Sequence, residues 1–82
     1  MEDSASHRRR IGGVVVDYRL IRVLRRARCW TQDELAEKAG LTSRTIAAAE
    51  AGQPIALRSV REIAAALDVL PTLLSPDLTR PP

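Results

Sequence analysis

The arginine side chains are the groups in this 82-residue chain with the most evident chemistry. They make up all but one of its 13 basic residues, the exception being Lys38. A guanidinium is a planar fork of donors that matches phosphate oxygens and the edge of guanine. With a formal net charge of +3 and an isoelectric point near 10.0, the chain suits a polyanionic partner, although a basic surface also serves solubility.

Other kinds of site find little support among the remaining residues. Catalysis needs a nucleophile beside a base or paired carboxylates in a cleft, whereas the acidic residues here fall at helix caps or outward helix positions. We therefore expect no enzyme and no catalytic residue. The single cysteine, Cys29, excludes an internal disulfide, and with the single histidine, His7, it cannot build a metal site. We expect no cofactor, and Cys29 is interpreted as a small, partly buried residue.

The apolar runs are all too short for a membrane span, which needs roughly 18 residues. Three arginines at residues 8–10 precede Val14, Val15 and Val16, but this run is too short for a signal peptide. The default location is therefore a reducing cytoplasm. The arginines themselves form either a minor-groove arm or a solvated tail.

The first helix is predicted to begin at Val14 or Asp17 and to end near Arg28. Ile21 and Leu24 lie on its inward face. Its outward face is interpreted as a solvated row of arginines, some of them near phosphates of a bound nucleic acid: Arg19, Arg22, Arg26 and Arg28. The three valines at residues 14–16 either extend this helix or form a short strand, because β-branched residues are weak helix formers.

The second and third helices have clear beginnings. Thr31 and Glu34 have the spacing of a capping box, and Trp30 with Leu35 has that of a hydrophobic staple. The second helix is expected to stop at Gly40, which tolerates the left-handed conformation of a helix end. The same device then recurs, with Thr42 as the cap and Leu41 and Ile46 as the staple, and the third helix stops at Gly52.

Two further helices complete a compact all-α domain of five helices. The fourth, Leu57 to Leu67, is expected to bury residues Leu57, Val60, Ile63, Ala64 and Leu67, and Asp68 takes the turn after it. The fifth, Pro71 to Leu74, is expected to cover the core with Leu70, Leu73 and Leu74. The domain occupies residues 14–75, between a flexible basic arm at residues 1–13 and a disordered tail at residues 76–82.

The middle two helices are separated by residues 40–42 alone, so the chain must turn sharply there. Inward-facing Leu35, Ala39, Ile46 and Ala49 would fix the angle between the helices. The beginning of the third helix would then project on a rigid support. A helix presented in this way fits a major groove, which is about 12 Å wide.

The motif T-Q-x-E-L-A-x-K-A-G-L-T-x-x-T-I at residues 31–46 resembles the helix-turn-helix domains of the lambda-repressor/Cro type, the XRE family. E-A-G at residues 50–52 and S-V-R-E-I-A-A-A-L at residues 59–67 continue the resemblance in register. The docking geometry of these repressors is well known. The resemblance implies sequence-specific binding of double-stranded DNA, most simply by a homodimeric transcriptional repressor or regulator.

The resemblance also implies roles for individual residues. The DNA-binding set would be Gln32, Thr42, Ser43, Arg44, Thr45, Ala47, Ala48, Gln53 and Arg58. Gln32 would bind a phosphate and brace the third helix, while Ser43 and Arg44 would meet base edges. Ala47 and Ala48 depart from the family's polar groove-facing positions, which leaves Arg44 as the main candidate for direct base contact. Arg58 and the backbone amides of residues 52–54 would contact the DNA backbone.

Structural roles are implied as well. Arg25 and Glu50 match a buried ion pair that ties the first helix to the end of the third, alongside the caps Thr31, Glu34 and Gly40. Self-association is expected through residues 14–16 and the last helix. The alternative function is a protein–protein adaptor, or an antitoxin-type partner-binding module, that keeps the fold without reading DNA.

Overall fold

The computed structural model describes residues 13–75, and within them the chain is all-helical, as predicted. The helices are α1 (Tyr18–Ala27), α2 (Gln32–Ala39), α3 (Ser43–Glu50), α4 (Leu57–Leu67) and α5 (Pro71–Leu74). The basic segment at residues 1–12 and the tail at residues 76–82, for which an arm and a disordered end are predicted, lie outside the described residues. None of the described helices is long and apolar enough to cross a membrane.

The segment before α1 is extended, which decides between the two conformations left open for the valines. Val14 and Ile55 form an isolated antiparallel bridge, with N···O distances of 2.7 and 3.0 Å. Gly13 approaches the same residue so closely that an added Cβ would lie 2.6 Å from the carbonyl oxygen of Ile55. Val16 is buried. The extended segment therefore closes one side of the core instead of lengthening the helix.

Asp17 is the N-cap of helix α1, and its carboxylate accepts from the amide of Leu20 at 3.2 Å. The amide of Asp17 donates to the carbonyl of Leu74 at 2.7 Å, so this cap also attaches α5 to the beginning of α1. Ile21 and Arg25 are the buried residues of α1. The helix thus contributes one apolar and one charged side chain to the interior.

The corner between α2 and α3 has the predicted caps. Thr31 and Glu34 exchange hydrogen bonds of 3.0 and 2.8 Å in a complete capping box. Gly40 adopts the left-handed conformation, with φ of 71°, and stops α2. The hydroxyl of Thr42 accepts from the amide of Thr45 at 3.2 Å and starts α3. Each helix end is therefore fixed by groups within a few residues of it.

The core lies between α2, α3 and α4, with α1 and α5 closing two sides. Its fully buried large side chains include Ile21, Leu35, Ile46, Val60, Ile63, Leu67 and Leu74. Three leucines predicted to be buried are instead exposed: Leu57 by 38%, Leu70 by 73% and Leu73 by 51%. Leu70 precedes α5 as its N-cap, and Leu74 is the buried residue of this single turn. Leu57 lies at the first position of α4.

Two of the arginines predicted to be solvated also make structural hydrogen bonds. Arg28 donates to the carbonyl of Leu67 at 2.7 Å and so satisfies the last residue of α4. Arg22 donates to the carbonyl of Glu50 at 3.1 Å, at the end of α3. Carbonyls at helix C-termini lack partners within their own helix, which is why cations settle there. The prediction for Cys29 is also wrong, because this residue is exposed in the turn after α1, with φ of 59°.

Candidate nucleic-acid interface

The beginning of α3 is the most exposed part of the helical corner. Ser43, Arg44 and Ala47 are exposed, while Ile46 and Ala49 on the opposite face are fully buried. The buried pair holds the helix against the core, so the exposed side chains stand on a rigid support. Among residues 13–75, Arg44 makes no salt bridge, and its guanidinium is accessible for an external partner.

A second basic group lies at the beginning of α4. Arg58 is exposed at the second position of this helix. The N-cap of α4 is Ala56, whose side chain cannot satisfy the first amides. Uncapped amides and the partial positive charge of a helix N-terminus both favour an anion, as does the nearby guanidinium. This end of α4 can therefore hold a phosphate.

The polar side chains at the beginning of α3 bond to one another and to α2. The hydroxyl of Ser43 donates to the carboxylate of Asp33, the second residue of α2. The hydroxyls of Thr42 and Thr45 lie 3.1 Å apart. Asp33 is absent from the set of residues expected from the sequence, and its position in the first turn of α2 is the only local signal for it. The contact depends on how closely the two helix beginnings approach.

The predicted DNA-binding residues later in α3 and in the following loop differ in exposure. Ala47 is exposed and presents a methyl group, whereas Ala48 is half-buried and packs against the core. The side chain of Gln53 is exposed in the following loop.

The expectation that the loop amides bind a phosphate is wrong. The amide of Gly52 donates to the carbonyl of Ala49 at 3.1 Å, and that of Gln53 donates to the carbonyl of Ala48 at 3.0 Å. Pro54 has no amide hydrogen. These amides instead satisfy carbonyls at the end of α3, which have no partner within the helix.

The predicted contact between Arg25 and Glu50 is present and buried. The Nε and Nη2 atoms of Arg25 donate to the two carboxylate oxygens of Glu50 at 2.6 and 2.8 Å. The side-chain Nε2 of Gln32 donates to the same carboxylate at 3.1 Å, so Gln32 braces α3 from the beginning of α2. Arg22 approaches it at 3.7 Å. Three helices thus meet at one carboxylate.

This network shifts the pKa values of both partners. Burial by itself would raise the pKa of Glu50, but the hydrogen bonds from Arg25 and Gln32, with the charges of Arg25 and Arg22, hold that pKa below its usual value. The hydrogen bond to Glu50 raises the pKa of Arg25. Both groups are therefore held in their charged forms, and the pair fixes the end of α3 without being available to a ligand.

No group of three or more metal-ligating side chains comes together within residues 13–75. An open depression near α5 is lined by Asp68, Val69, Leu70, Thr72 and Leu73. Its wall is largely apolar.

The fold and its exposed corner define a class of protein, the helix-turn-helix DNA-binding regulators. Residues 21–74 match the family described as Helix-turn-helix. Because the match spans more than half of the chain, the chain belongs to this family, in its lambda-repressor/Cro type. No curated protein and no solved structure matches the chain.

Proposed function

We propose that this chain binds specific sequences of double-stranded DNA and regulates transcription, most simply as a repressor, by inserting α3 into the major groove. The observation that carries the proposal is the exposure of Ser43 and Arg44 on the rigid corner between α2 and α3. A major groove admits an α-helix, and the N-terminal residues of a recognition helix contact base edges there.

The exposed residues divide into two kinds of contact. Arg44 would read a base, because a guanidinium can donate two hydrogen bonds to O6 and N7 of guanine. Arg58 and the N-terminus of α4 would hold a phosphate, and Gln32, Thr42, Thr45 and Gln53 would lie near the DNA backbone. Ala47 would contact at most a thymine methyl. With so few base contacts, part of the sequence preference would come from DNA shape.

A homodimer on two half-sites, about 34–36 Å apart along the duplex, would supply the remaining affinity. Of the two segments expected to self-associate, residues 14–16 are mostly occupied, since Val14 pairs with Ile55 and Val16 is buried. The exposed Leu70, the N-cap of α5, and Leu73, within α5, are the better candidates. They also favour a second candidate function, a protein–protein adaptor that binds its partner through this apolar surface.

Binding to a random duplex at several salt concentrations tests the proposal. Affinity should fall steeply as salt rises, because phosphate contacts release counterions from the DNA. Selection from a random duplex pool should then return one preferred sequence and its half-site spacing. Failure to bind any duplex at low salt would refute DNA binding and favour the adaptor.

A further inference from the structure

The hydrogen bond between Asp33 and Ser43 determines what α3 can recognise. We infer that Asp33 and Ser43 form a unit that only accepts hydrogen bonds, and that this unit selects an exocyclic amino group, cytosine N4 or adenine N6, beside the base read by Arg44. The inference rests on the proposed insertion of α3 into the major groove. It adds Asp33 as a specificity-determining residue.

The first step is the direction of the hydrogen bond. A serine hydroxyl has one hydrogen and two lone pairs. The hydrogen of Ser43 goes to the carboxylate of Asp33, because a carboxylate can only accept. What Ser43 can still offer to an external group is therefore its lone pairs.

The second step is that the Ser43 hydroxyl is not needed to cap α3. The cap of α3 is supplied by Thr42, whose hydroxyl accepts from the amide of Thr45. Ser43 is exposed at the first position of the helix, and Asp33 is exposed on α2. Both oxygen-bearing groups can therefore meet a ligand without breaking a cap.

The third step is the pattern of groups in the major groove. Cytosine N4 and adenine N6 are donors, whereas guanine N7 and O6 and thymine O4 are acceptors. An acceptor-only unit pairs with the amino groups and is mismatched with the others. The neighbouring Arg44 has the opposite property, since a guanidinium only donates. The tip of α3 would thus read one acceptor-bearing base and one amino-bearing base.

The carboxylate of Asp33 sharpens this choice by repulsion. Placed near DNA phosphates, a negative charge weakens binding to every duplex, and only a correctly placed amino group compensates for it. Asp33→Asn should therefore bind random duplex more tightly than the natural chain and discriminate less between bases. Glu37→Gln is the matched control, because it removes the same charge from an exposed position one turn further along α2.

The experiment begins with the duplex that the full chain selects from a random pool. At each selected cytosine or adenine, one base is replaced by its analogue without the exocyclic amino group, pyrimidin-2-one or purine. At one position the natural chain should bind the analogue duplex about fivefold or more weakly than the selected duplex. The Arg44→Ala variant should show the same relative loss there. Ser43→Ala, Asp33→Asn and their double variant should lose much less there, whereas Glu37→Gln should behave like the natural chain.

The outcomes separate this inference from the proposed function. Absence of binding to any duplex overturns both. If binding is specific but every amino deletion costs the Ser43 and Asp33 variants as much affinity as it costs the natural chain, the inference is overturned and DNA binding is left intact. Binding without any base preference overturns it as well. Circular dichroism checks that each variant is folded. If one is not, the affinity of the natural chain for the analogue duplexes is the deciding measurement, and absence of any loss there overturns the inference.

Discussion

Replacing Arg25 by alanine should remove a large part of the folding free energy of this domain. The side chain donates to both carboxylate oxygens of Glu50, and its Nη1 also donates to the carbonyl of Trp30 at 2.7 Å. The truncated chain would leave Glu50, a side chain only 2% exposed, with Gln32 and the more distant Arg22 as its remaining partners. A buried carboxylate with too few donors is strongly unfavourable.

The expected loss is about 3–5 kcal/mol, the range found when one partner of a buried ion pair is removed. A chain of this size has a total stability of about 4–12 kcal/mol, so the loss is a quarter of that stability or more. The melting temperature should fall by more than about 12 °C. Replacing both partners by apolar residues, Arg25→Met with Glu50→Leu, should cost much less than the sum of the single changes, because no charge is then left unpaired.

Urea unfolding followed by circular dichroism measures these free energies for Arg25→Ala, for the single variants Arg25→Met and Glu50→Leu, and for the double variant that combines those two changes. A coupling energy of about 1–3 kcal/mol between the two positions is expected. Arg26→Ala, an exposed change in the same helix, is the matched control and should shift stability by less than about 0.5 kcal/mol. Additive single effects, or a loss at Arg25 no larger than that control, would refute the reasoning.

Three further predictions concern DNA binding, the pH dependence of stability and two glycines. Arg44→Ala should lose about 1–3 kcal/mol on the selected duplex and relax one base position, whereas Arg58→Ala should weaken all duplexes alike and reduce the salt dependence; equal losses on every sequence for Arg44→Ala would make it a phosphate ligand. The lowered pKa of Glu50 stabilises the fold above the ordinary carboxyl range, so stability should fall as the pH drops below about 4, and Glu50→Gln should flatten this dependence in urea titrations at several pH values. Gly13→Ala should destabilise the fold more than Gly40→Ala, because a Cβ at position 13 would meet backbone atoms of Ile55 whereas one at position 40 would meet nothing. Gly40→Ala should cost about 1–2 kcal/mol. Equal shifts in melting temperature would contradict this.

The helix boundaries were largely predictable because the signals that set them are local. Thr31 and Glu34 lie three residues apart and satisfy each other's amides, and Gly40 stops the helix by its own conformational freedom. The bounds predicted for α4 and α5 coincide with those in the structure. The pairing of Arg25 with Glu50 was implied by the family resemblance, since a separation of 25 residues carries no local signal.

Several predictions failed for side chains whose surroundings come from other helices. Leu70 and Leu73 have the composition of core residues, but the single turn of α5 leaves them outside the core. Arg22 and Arg28 have the spacing of a solvated face, yet the ends of α3 and α4 lie within their reach. Their roles depend on where those helices end in space.

The candidate interface divides in the same way. Local sequence signals are enough to predict that two capped helices meet at a short turn and that Ser43 and Arg44 begin the second of them, because caps and periodicity act over three or four residues. Whether Ser43 donates to Asp33 and whether Ala48 packs against the core depend on the tertiary structure. Hydrogen bonds between helices depend on the angle and distance at which the core holds them, and those follow from the packing of many side chains together.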